Sequence, residues 1–129
     1  MQERPEKTID QIVAEDGRYP LAAVQFVREG LNHTLGLFFP DKAPDEKQHV
    51  SGEQLCGGLR DLALKRWGLM ARSVLAGWNI TRTRDFGEIV FILVNSGWMQ
   101  KNEEDSVEDF DEVFDLENAL EKQFELTLE

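Results

Sequence analysis

The sequence predicts a mainly α fold: a single compact helical domain with a small C-terminal β-hairpin. Three observations carry this reading. Apolar residues recur at helical spacing along most of the chain. Capping-box patterns stand before three of the apolar runs. The 129 residues are 41% hydrophobic, enough for one real core.

The elements follow in order. In "TIDQIV", Thr8 can cap a first helix and Gln11 can close its capping box. Asp16-Gly17 stops that helix. In "RYPLAAVQFVREGLNHTL", Pro20 suits a first helical position. Ala23, Val24, Val27, Leu31, Thr34 and Leu35 then share one face, opposite Gln25, Glu29 and Asn32. Residues 38–49, with two prolines and five charges, read as a mobile surface loop. Ser51 and Gln54 form a second box, with Val50 and Leu55 as a hydrophobic staple. Leu55, Leu59, Leu62 and Ala63 make the inner stripe of this third helix, which Gly68 ends. Gly57-Gly58 inside it suggests close approach of another backbone. "LMARSVLAGWNI" continues as a helix with Met70, Ala71, Val74, Leu75 and Trp78 inward and Arg72 and Ser73 outward.

The run "DFGEIVFILVNSGW" is the most apolar part of the chain. Asp85 and Glu88 supply a third box before it, and Gly97 with Trp98 a C-terminal stop after it. It is expected to be the central core helix, over 86–96, although Ile, Val and Phe would also suit a buried strand. Only Arg84, Glu88 and Asn95 form a polar stripe on it, so it makes a poor recognition helix. Beyond Trp98 the polar centre Asn102–Asp105 predicts a hairpin turn. A last helix would start at Asp115 and bury Leu116, Ala119, Leu120 and Phe124.

Charge is segregated along the chain. Residues 102–129 hold twelve Asp or Glu against one Lys and carry the whole net charge of −11. The expected organisation is one domain over 1–129, with a neutral helical body (8–101) and an acidic hairpin and helix (102–129) docked on it. The polar start has no secretory h-region, and no apolar run nears the roughly 20 residues that span a bilayer. A cytoplasmic protein without membrane association is expected.

Several segments together resemble a known family. They are "RYPLAAVQFVREGL", "HVSGEQLCGGLRDLALKRWGLMARSVLAGWNI", the run T-R-D-F-G-E-I-V-F-I-L-V and the later D-x-x-x-D-F. Their succession, over residues 8–125, resembles the Minf-type family of uncharacterised bacterial proteins. The resemblance implies a bacterial single-domain protein, and it carries over no residue roles. A looser resemblance, at fold level only, is to winged-helix domains, through the order helix, helix, helix, hairpin in 51–114.

Candidate chemistry is sparse. Arg60, Lys65, Arg66, Arg72, Arg82 and Arg84 give the segment 60–84 a net charge of +5 and are the candidate anion- or partner-binding residues. The alternative is that they serve helix C-termini and face the acidic part of the chain. Arg66 falls on the apolar stripe, where it must snorkel or pair with a carboxylate, expected from the acidic C-terminal part. Cys56 beside His49 lacks a third orienting group and reads as a buried thiol. "EEDSVEDFDE" lacks the glycine and the spacing of a calcium loop. No catalytic, metal or cofactor motif stands out, so no cofactor is expected. The leading reading is a non-enzymatic interaction or regulatory module with a protein partner. A winged-helix-like nucleic-acid binder using 60–84 is the alternative, and a small enzyme the least supported. No oligomeric state follows from the sequence.

Overall fold

A computed structural model describes residues 7–39, 50–98, 107–116 and 119–120. Five α-helices run through them: α1 (Ile9–Asp16), α2 (Leu21–Phe38), α3 (Gly52–Trp67), α4 (Ala71–Gly77) and α5 (Thr83–Asn95). Short 3₁₀ turns cover Gly68–Met70 and Val107–Phe110. The domain is single and mainly helical, and none of its described helices is long and apolar enough to cross a membrane.

Local chemistry sets most of the boundaries. Thr8 and Ser51 each accept the amide of the residue three positions on, and Gln11 and Gln54 return the bond. At the end of α1, Gly17 turns left-handed at φ 74° and its amide bonds Val13. At the end of α5, Gly97 has φ 85°, its amide bonds Val94 O, and the Trp98 amide bonds Leu93 O. That pair of bonds is a Schellman motif. Asn79 takes the same left-handed place after α4, and its side chain donates to Arg18 O at 2.8 Å. Pro20 is the cap of α2 rather than its first helical residue, and α2 runs on to Phe38.

α2 and α3 pack antiparallel, and glycine brings them close. A Cβ on Gly30 would overlap the Leu59 side chain, and one on Gly58 would overlap Thr34. Gly58 therefore admits a side chain, not the expected backbone, while Gly57 has open space around it. The core runs from this contact through Phe26, Leu59, Leu75 and Ile80 to Phe86, Ile89 and Leu93 of α5. At one end of the pair Phe26, Trp67 and Trp78 pack ring on ring, with centroids 5.3 to 5.9 Å apart.

Two expectations need correction. α5 begins at Thr83, with Arg82 as its N-cap, and Asp85 lies inside the first turn. Its carboxylate reaches back to the Thr81 and Arg82 amides at 2.9 and 3.1 Å and accepts the Tyr19 hydroxyl at 2.7 Å. Glu88 is then left to pair sideways with Arg84 and Arg18, at 3.3 Å each. The second correction is the hairpin. No strand occurs among the described residues, so neither the hairpin nor a winged-helix arrangement is present there. Residues 99–106, which include the expected turn, lie outside them, as does the loop 40–49. Where the second hairpin strand was expected, Val107–Phe110 forms a 3₁₀ turn closed by the Asp111 amide on Glu108 O. The Thr83 hydroxyl donates to the Phe110 carbonyl at 2.6 Å, and Thr83 Oγ1 in turn accepts the Val113 amide at 3.2 Å. A side chain thus satisfies backbone groups that a partner strand would have bonded. The Phe110 ring fills a notch over Gly87, where any Cβ would lie 2.7 Å from it. Leu116 and Leu120 are also buried against the body.

Candidate functional site

The structure disperses the six cations. Arg60 stacks on Phe114, its guanidinium 5.2 Å from the ring centroid. Lys65 pairs with Asp61 at 3.2 Å, one turn away on α3. Arg66 pairs with Glu29 of α2, not with the acidic C-terminal part, and its side chain stays well exposed. Arg72 is exposed on α4. Arg84 holds both carboxylate oxygens of Asp111, at 2.8 and 2.9 Å. Only Arg82 and Arg84 come together, at the start of α5.

Those two line a groove of about 380 Å³. The start of α5 contributes Thr81 and the two cations to its lining, and the acidic segment contributes Asp111, Glu112 and Asp115 with Phe114 and Leu116. The volume is in the range of small-ligand sites, roughly 300–1,000 Å³. Its electrostatics are largely settled within the chain. The Asp111 carboxylate holds the Arg84 guanidinium more firmly in its charged form, with Glu88 adding to it. Asp85 already takes the Thr81 and Arg82 amides that an anion at this helix start would seek. The groove therefore lies where the acidic segment joins α5 and has a lining of both signs, not an anion cradle.

Other titratable groups are tied into packing. Burial, with a smaller push from Glu53, raises the Cys56 thiol to about 12, far from a reactive thiolate. His49, its suggested partner, lies outside the described residues. His33 meets Asp61 at 2.7 Å across the α2–α3 contact. Burial works to raise the Asp61 carboxyl, but hydrogen bonds from His33 and Lys65 outweigh it and hold the group below its usual range. Among the described residues no cluster of three His, Cys, Asp or Glu could hold a metal.

One feature escaped the sequence. Met70 was expected to face inward, yet Leu69 and Met70 are 62% and 60% exposed. They sit on the 3₁₀ turn between α3 and α4. Gly68 there has φ 52° and ψ −123°, a conformation open to glycine and strained for other residues. That reversal swings the next two side chains outward while Trp67, just before it, stays in the ring cluster. The helical periodicity through "GLMARSV" hid the break, and Gly68 was its only visible sign. No protein-family model matches the chain, and no curated protein and no solved structure is similar to it.

Proposed function

We propose that the chain is a non-enzymatic cytoplasmic interaction module that binds another protein. The bacterial, single-domain character implied by the resemblance to the Minf-type family belongs to the same proposal. The observation that supports it most is the exposed Leu69–Met70 pair on a turn whose neighbours are packed. Water-exposed Leu and Met are ordinary singly. Two in succession, rigidly displayed beside cations, suit a contact surface.

The test is retention of a partner from extract of the native host, with wild type and the double variant Leu69→Ser/Met70→Ser as baits. The expected result is a stoichiometric protein on wild type that the variant loses. Equal retention by both baits would move the contact elsewhere. Nucleic acid bound by the full chain with a steep salt dependence would replace the reading altogether.

A further inference from the structure

We propose that the groove between the start of α5 and the acidic segment takes a small zwitterion with an apolar body, of the class of free amino acids with an apolar side chain. The proposal is independent of the contact surface at Leu69 and Met70. It starts from the way the charges of the groove are paired. Arg84 is matched by Asp111 through two bonds. Arg82 and Glu112 line the same groove, and both are exposed. No ion pair joins either of their side chains to a described residue. Opposite charges thus share one groove without neutralising each other.

The backbone that carries these two charges is held on both sides of the groove. Before Glu112, Asp111 is gripped by Arg84; after it, the Val113 amide is bonded to Thr83 Oγ1 at 3.2 Å. Between these anchors Glu112 keeps a left-handed φ of 47°, a conformation sparsely occupied by residues other than glycine. Arg82 directly precedes Thr83 and Arg84, and Asp85 accepts its amide at 3.1 Å. Little ordering is left for a ligand to impose. The rest of the lining selects the ligand's body. Phe114 and Leu116 supply apolar surface, and the volume of about 380 Å³ stands at the small end of ligand sites, roughly 300–1,000 Å³. A simple anion would be repelled by Asp111, Glu112 and Asp115, and a simple cation by Arg82 and Arg84. A molecule with its carboxylate on Arg82 and its ammonium on Glu112 meets a complementary charge at each end. The Arg82 guanidinium also offers a carboxylate two parallel donors.

The experiment is calorimetric titration of the full chain with free leucine and, separately, free phenylalanine. N-acetyl-leucine, which lacks the ammonium, leucinamide, which lacks the carboxylate, and glycine, which lacks the apolar body, are the controls. One or both of the free apolar amino acids should bind one to one, and each control should bind tenfold or more weaker. Arg82→Ala should weaken the amino acid tenfold or more and leave the residual affinity for leucinamide unchanged. Glu112→Gln should weaken it as much and leave N-acetyl-leucine unchanged. Both side chains are exposed, so the melting temperature of each ligand-free variant should stay close to that of wild type. Absence of binding by both amino acids, equal affinity for the blocked forms, or binding untouched by either substitution would overturn the proposal.

Discussion

Gly57 and Gly58 are chain neighbours with opposite demands. A Cβ at Gly57 meets nothing, whereas one at Gly58 overlaps Thr34. Gly57→Ala should therefore stabilise by about 0.5–1 kcal/mol through helix propensity. Gly58→Ala should destabilise by about 1–3 kcal/mol through overpacking. Thermal unfolding of the two variants checks this, and shifts of the same sign would refute the packing account. Tyr19 offers a pH test. Burial first, then its hydrogen bond to Asp85, raises its hydroxyl above the usual 10. A folded-state value above the unfolded one means stability that is whole below pH about 10 and is lost as pH rises beyond it. Denaturant titrations across that range should show a steeper alkaline loss for wild type than for Tyr19→Phe; matching slopes would remove Tyr19 as the cause. For Arg66 the geometry lowers the stakes. Its exposed pair with Glu29 should make Arg66→Ala cost less than about 1 kcal/mol, no more than Arg82→Ala. A loss of several kcal/mol would show a buried role.

At the scale of elements, caps were legible and non-helical partners were not. Thr8, Ser51, Gly17 and Gly97 act locally, so short patterns reveal them. The start of α5 is set by the Asp85 carboxylate on the Thr81 and Arg82 amides, and that carboxylate also meets the Tyr19 hydroxyl, 66 residues away, a bond no local pattern shows. The supposed hairpin failed for a similar reason. Phe110 is held by Gly52, Thr83 and Gly87, distant positions whose smallness or hydroxyl matters only once the helices are assembled. The acidic segment is thus attached through an aromatic plug more than through charge. Removing that ring by Phe110→Ala should cost about 3–5 kcal/mol. The attachment should also survive 1 M salt, where the Debye length falls to about 3 Å. Limited proteolysis at that salt should still spare 107–116 in wild type, and rapid cleavage there would show that ion pairs hold the segment.

For the molecule as a whole, the mainly helical class was readable because amphipathic spacing repeats along the chain. The candidate site was much less so. Six cations close in sequence look like one patch, yet helical rotation sends Arg60 to Phe114, Arg66 to Glu29 and Arg84 to Asp111. The exposed turn, in contrast, follows from a single glycine conformation that composition does not report. The ring cluster that Trp67 joins just before that turn has an optical consequence. Trp67 and Trp78 lie 5.5 Å apart with their planes at 82°, close enough for their electronic transitions to couple. Trp98 is the third indole of the chain, set under the Arg28 guanidinium. The near-ultraviolet dichroism of the folded protein should therefore be dominated by the corner where α2, α3 and α4 meet, and a substitution such as Trp78→Phe should abolish most of it. The molecule thus carries a built-in chromophore pair, Trp67 at the end of α3 and Trp78 at the end of α4, that reports how those two helices meet.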